Sequence, residues 1–134
     1  MKGHAREIMA APVPRITVET ELVALADALG RGSWSGLPVV GPDDGVLGFV
    51  SATDVMIALV EQRPAGTTAA ELMSSPAEVI DEFTGADEVM AFLRRRRIHH
   101  APVVRAGRLV GMISAREVLR YFVEHVAPRP PDAG

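Results

Sequence analysis

Apolar and polar positions along the chain alternate between two rhythms. Leu22, Leu25, Ala26 and Leu29 recur at the three-and-four spacing of a helix with one buried stripe. Leu37 to Val40 and Val46 to Val50 are instead short apolar runs, read as strands, separated by Gly41-Pro42-Asp43-Asp44-Gly45. That segment predicts a hairpin turn in which glycine supplies the positive φ. Ala52 to Val60 then returns to a helical pattern. Ahead of this series, Ala5 to Met9 reads as a short helical lead-in, followed by a proline loop and an extended segment around Ile16.

The second half of the chain repeats the first. At a shift of 64 residues Met9 falls on Met73, Pro12 on Pro76, Ile16 on Ile80, Thr20 on Thr84, and Pro38-Val39-Val40 on Pro102-Val103-Val104. The second turn, Arg105-Ala106-Gly107, is one residue shorter, and beyond it Gly48 meets Gly111 and Ser51-Ala52 meets Ser114-Ala115. Ordered identities along the whole length mark an internal duplication. The repeated elements are a lead-in at Ala69 to Met73, an extended segment at Ile80 and a helix carrying Val89, Met90 and Leu93. Strands at Ala101 to Val104 and Leu109 to Ile113 follow, then a helix from Ala115 to Val123. Each copy is a βαββα-type unit, so the fold class is α/β in the mixed, α+β sense. Thr20 and Thr84 stand as helix N-cap candidates, Thr84 with Asp87 three residues on as a variant capping box. The expected organisation is a first repeat over 5–62, a linker over 63–68, a second repeat over 69–126 and a loose, proline-rich tail over 127–134.

Composition narrows the function. The 134 residues are 48% hydrophobic yet only 4% aromatic, so the core is aliphatic. A net charge of −3 offers no global attraction to nucleic acid or anionic membranes, making nucleic acid an unlikely partner. Cysteine is absent, which removes disulfides and thiolate chemistry and fits a reducing compartment. Neither a secretory signal nor a run of about 20 apolar residues is present, so the expectation is a cytoplasmic protein with no membrane partner. Lys2 is the sole lysine, and no base-activated nucleophile or Walker-type loop is found, so no enzyme is expected.

Chemistry concentrates at two matched junctions. Gly48-Phe49-Val50-Ser51-Ala52-Thr53-Asp54 is echoed by Gly111-Met112-Ile113-Ser114-Ala115-Arg116-Glu117. Each places a hydroxyl where a strand becomes a helix and an acid in the first helical turn. Helix N-termini receive phosphate through unpaired N–H groups, and a carboxylate suits ribose hydroxyls. The same Ser-x-x-acid spacing is also an ordinary capping box, and both readings are open for either junction.

The order Met, Pro, Ile, then Leu37-Pro38-Val39-Val40, then Gly48-Phe49-Val50-Ser51-x-x-Asp54 resembles a CBS domain, and the second half resembles another. A tandem CBS pair, or Bateman module, implies two units packed through their sheets about a pseudo-twofold axis. It implies clefts for an adenosine-containing ligand (AMP, ADP, ATP or S-adenosylmethionine), a separate effector protein, and no required cofactor. It also implies a homodimeric disc of four units. Carried onto this chain, one cleft would use Ser51 and Asp54 with Ile16, Thr17, Leu37 and Pro38. The other would use Ser114 and Glu117 with Ile80, Asp81, Ala101 and Pro102, and Arg116 could add a phosphate contact. Glu117 is a methylene longer than Asp54, which favours the Asp54 side for single occupancy. The competing reading is a homodimeric assembly protein with vestigial clefts.

Three other features are read conservatively. Arg94-Arg95-Arg96-Arg97 reads as a solvated helix end, with a ligand phosphate as the alternative. His99 and His100 diverge on a strand, so no metal site is expected. Trp34, matched with Ile98, reads as a core residue.

Overall fold

A computed structural model of the chain describes residues 1–96 and 99–128. The first half runs α1 (Ala5–Ile8), β1 (Ile16–Thr17), α2 (Leu22–Arg31), β2 (Gly36–Val40), β3 (Val46–Ser51) and α3 (Ala52–Val60). The second runs α4 (Ala69–Leu72), β4 (Ile80–Asp81), α5 (Ala86–Arg96), β5 (His100–Arg105), β6 (Arg108–Ser114) and α6 (Ala115–His125). Each half makes a three-stranded sheet, β1-β2-β3 or β4-β5-β6, with a parallel neighbour on one side of the middle strand and an antiparallel one on the other. A middle strand covered on both faces has to be apolar throughout. Accordingly Gly36 to Val40 is buried at every position, as is His100 to Val104. Pro38 survives in a central strand because β1 begins to pair only at Val39, so no ladder bond is asked of the missing N–H on that side.

The repeats interlock rather than merely touch. One core gathers Leu22, Leu25, Leu29, Val39, Val50 and Val55 with Ala69 and Met112 of the second repeat. The other gathers Ile80, Val89, Val103, Ile113 and Tyr121 with Ala5 and Ile8 of the first. Each lead-in helix therefore packs into the other repeat's core. Backbone bonds hold the exchange: the Ala5 and Arg6 N–H groups donate to Thr84 and Glu82 carbonyls, and those of Ala69 and Ala70 donate to Thr20 and Val18.

The matched glycines have the same origin. Ala10 exchanges both backbone hydrogen bonds with Met112, at 2.9 and 3.0 Å, and Ser74 does so with Phe49. A side chain at Gly48 would put its Cβ 2.7 Å from the Ser74 carbonyl, and one at Gly111 would meet the Ala10 carbonyl at 3.0 Å and the Met9 sulfur closer still. Glycine is required there by the close crossing of the other repeat's loop.

Two local expectations are corrected. Helix α2 begins at Leu22 with Glu21 at its N-cap, while the Thr20 hydroxyl accepts from the Thr17 N–H at 3.1 Å and closes the preceding turn. Thr84 likewise lies in the turn before α5, its N–H bonded to the Asp81 carbonyl. In the first hairpin Asp44, at φ +66°, takes the left-handed position and neither glycine does; in the second Ala106 and Gly107 both take it. Ile98, Arg97 and tail residues 129–134 lie outside the described residues.

Candidate functional site

The strand-to-helix junctions form as the sequence suggests, but they are hydrogen-bonded differently. At the first, the Ser51 N–H donates to the Asp54 carboxylate at 2.9 Å and the Asp54 N–H donates to Ser51 Oγ at 3.0 Å. This reciprocal box occupies Ser51 as an acceptor and leaves its hydroxyl proton to donate outward. At the second, both the N–H and the hydroxyl of Ser114 donate to the Glu117 carboxylate, the former at 2.7 Å. Glu117 is buried, and Arg116 and Arg120 reach its other oxygen at 3.3 and 3.2 Å. Burial pushes the Glu117 pKa up, but the Ser114 bonds and the Arg116 charge outweigh it and hold the carboxyl below its ordinary 4.5.

A hollow of about 440 Å³ lies between the repeats. Its apolar wall is Phe49, Pro76, Ala77 and Pro102, and its polar wall is Ser51, Ser74, Glu78, His99 and His100. Both repeats contribute: β3 presents Phe49 and Ser51, β5 presents His100 and Pro102, and the loop between α4 and β4 closes one side. The positions matched to Phe49 and Ala77 in the other half are Met112 and Val13, and both are buried inside the first repeat's core. Val13 and Met112 are buried, whereas Ala77 and Phe49 are half-buried and line the hollow.

The structure regroups the residues expected from sequence. Ser51 lines the hollow with Pro102 of the other repeat, not with Leu37 and Pro38 of its own. Ile16, Leu37, Ile80 and Ala101 are buried in the two cores, and Pro38 is fully buried as well. Thr17 and Asp81 are exposed and engaged in local turns; the Asp81 carboxylate accepts from the Phe83 N–H at 3.0 Å. Asp54 lines a shallow surface dent with Arg63 and Glu71, and Glu117 a small polar one with Glu7, Arg120 and Glu124. Arg116 lies over the Trp34 ring, 5.8 Å from its centroid, and Trp34 itself is half-buried at the edge of the first core. Arg94, Arg95 and Arg96 close α5 as exposed side chains, and Arg96 pairs with Glu78 at the rim of the hollow, 3.3 Å away.

His100, Phe49 and the Ser74–Glu78 loop were not singled out as site residues. The signal available was the mismatch between halves: His100 occupies the position of Gly36, and Phe49 that of Met112. His100 packs against Phe49 at 4.7 Å and Trp34 at 6.4 Å between ring centroids. A Cβ at Gly36 would lie 2.6 Å from its Nε2. Burial, and then the neighbouring His99, hold its pKa below 6.5, while Glu117 pulls the other way.

Among known proteins, hypoxic response protein 1 of Mycobacterium tuberculosis is 27% identical over 123 residues, covering 90% of this chain and 86% of its own. A crystal structure of Hypoxic Response Protein I with two coordinated zinc ions superimposes with a TM-score of 0.78 at 26% identity, covering 89% of this chain and 98% of that one. A crystal structure of CBSX2 in complex with AMP gives a TM-score of 0.81 at 21% identity, covering 90% of this chain and 96% of that one. The sequence profile of the CBS domain matches twice, at residues 5–61 and 69–124. With two such matches on two interlocked three-stranded units, the chain belongs to the CBS-domain family as a tandem pair.

Proposed function

We propose that this CBS pair is a non-catalytic regulatory module that binds an adenosine-containing ligand in the Ser51 hollow and signals to a separate effector. The observation that carries the reading is the hollow itself. Its volume of about 440 Å³ falls in the range of small-molecule sites, about 300–1,000 Å³, and it joins a flat apolar wall to a few polar groups. Phe49, Pro76 and Pro102 suit the faces of a base, and the outward Ser51 hydroxyl suits an acceptor oxygen. AMP bound to a CBS protein of the same fold supports the ligand class, and ADP, ATP or S-adenosylmethionine share the adenosine. Among the described residues no group of three ligating side chains that could hold a metal ion occurs. The functional unit is the pair, 5–62 and 69–126 joined by 63–68, because each lead-in helix completes the other repeat's core. Among the described residues no helix is long and apolar enough to cross a membrane, and a cysteine-free composition fits the proposed cytoplasmic placement.

The test is a thermal-shift titration with AMP, ADP, ATP and S-adenosylmethionine. A ligand at about 100 times its Kd stabilises by about 2.7 kcal/mol, a shift of several degrees. No shift from any of them at millimolar concentration rejects the reading.

One observation favours a homodimer in addition. The outer faces of α3 and α6 expose Met56, Leu59 and Val60, and Leu119, Phe122 and Val123. Exposed apolar side chains clustered on a helix mark an interaction face, and a second copy of the chain is the proposed occupant. Light scattering that gives a monomer mass rejects it.

A further inference from the structure

The helix faces of the two repeats descend from one pattern and have diverged in shape and in charge. In the first repeat a groove of about 280 Å³ runs between α2 and α3, walled by Ala26, Gly30, Met56, Leu59 and Val60 over the buried Val55. Its α2 side is built of small residues, whereas the matched positions of α5 hold Met90 and Arg94. Nothing within the chain asks for glycine at position 30. Gly30 lies inside α2 without a positive φ, and a Cβ there would meet no atom within 4 Å. Glycine weakens a helix interior, so its presence at an exposed groove fits a close approach from outside the chain.

The second repeat presents the complement. On α6 the exposed Leu119 and Val123 share one surface with Arg116 and Arg120, which stand where α3 has Thr53 and Ile57. Both arginines touch Glu117 and still keep more than half of their side-chain surface in solvent. Helix α3 has no cation, and Asp27 and Glu61, next in sequence to Ala26 and Val60 of the groove, are exposed acids. The whole repeats differ in the same direction. Residues 5–62 hold eight acids against three arginines, a net −5, and residues 69–126 hold eight of each, a net of zero.

We propose that two copies of the chain pair head to tail, the arginine-flanked α6 of each seated in the α2–α3 groove of the other. This rests on the homodimer reading above and adds its orientation. Pairing like with like would set one acidic repeat against another, and Arg116 and Arg120 against their own copies. Like charges facing across an interface disfavour that arrangement, and the crossed pairing brings arginines to Asp27 and Glu61 instead. A twofold axis that seats one α6 seats the other as well, so the assembly closes at two copies.

The absence of cysteine gives a clean background for the test. Met56→Cys and Leu119→Cys, both at exposed positions, are made singly and together in the full chain and treated with a short bis-maleimide. The double variant is expected to give a covalent dimer and each single variant to stay uncoupled, because position 56 of one copy then faces 119 of the other. Covalent dimer from either single variant shows like-with-like pairing; that result, or no coupling in any variant of a protein with dimer mass, overturns the orientation and leaves the homodimer standing. Monomer mass by sedimentation rejects both. Gly30→Leu supplies a second measurement that leaves the core untouched. It should raise the dimer dissociation constant at least about tenfold, while the urea midpoint of the dilute monomer does not fall. An unchanged dissociation constant overturns the proposal.

Discussion

The two clefts of this duplicated chain began as the same structure and are now opposites. One is a hollow walled by Ala77 and Phe49; at the matched positions of the other, Val13 and Met112 are part of the first repeat's core. One junction serine keeps its hydroxyl proton for a partner outside, while the other spends it on Glu117. One acid is half-buried at the surface, and the other is buried beneath two arginines. Duplication copies backbone; side-chain volume and hydrogen-bond polarity then make the two copies differ.

The comparison breaks most readily at the acids. Glu117→Ala leaves the half-buried Ser114 N–H and hydroxyl without their acceptor, while Arg116 and Arg120 remain solvated, and should cost about 2–3 kcal/mol of stability. Asp54→Ala at the matched position should cost about 1 kcal/mol, the worth of a capping interaction. Urea unfolding of both variants checks the contrast, and similar losses would erase it. Val13→Ala removes about two methylenes from a packed core and should cost about 2 kcal/mol without raising the ligand-to-protein ratio above one. A calorimetric ratio of two in the wild type would show that both clefts are open. The reverse exchange, Ala77→Leu, fills the hollow and should weaken ligand binding more than tenfold with a stability change of under about 1 kcal/mol.

Smaller effects sharpen the picture. Ser51→Ala removes the outward hydrogen bond, worth about 1 kcal/mol, so ligand affinity should fall about fivefold, and with it the cap on the Asp54 N–H, costing about 1 kcal/mol of stability. Ser114→Ala should leave affinity unchanged and lower stability alone; titration reads the first and urea unfolding the second. Acidification should destabilise the empty protein in two stages. His100 binds protons less readily folded than unfolded, so its contribution is present above 6.5 and drains away as pH falls through the lower folded value. Glu117 behaves alike from 4.5 downward, its folded value being depressed as well. Urea midpoints across pH should show the lower stage flattened in Glu117→Gln and the upper one in His100→Gln.

Much of the fold was legible because it is periodic. The helix over Ala52–Val60 begins and ends where its pattern does, and the strands differ from their apolar runs by a residue at either end. Caps and turns were less legible. Thr20 looked like an N-cap because threonine often is one, yet its hydroxyl serves the Thr17 N–H, one turn earlier. Glycine was assigned the positive φ of the first hairpin, which Asp44 takes, an acid being among the side chains that tolerate it. At the site, the twin junctions could be found from spacing. Their grouping could not, because Ser51 meets Pro102 across the repeat boundary rather than Leu37 within its own unit.

By itself the sequence determined the duplication, the two aliphatic cores and the family, since these follow from composition, spacing and identity along the chain. Only the tertiary structure decided that each lead-in helix completes the other repeat, that Gly48 and Gly111 are set by a crossing loop, and that a hollow opens beside Ser51. The physical reason is that each of these depends on contacts between residues far apart in sequence, where a methyl group more or a hydroxyl turned the other way changes the outcome without altering any local pattern.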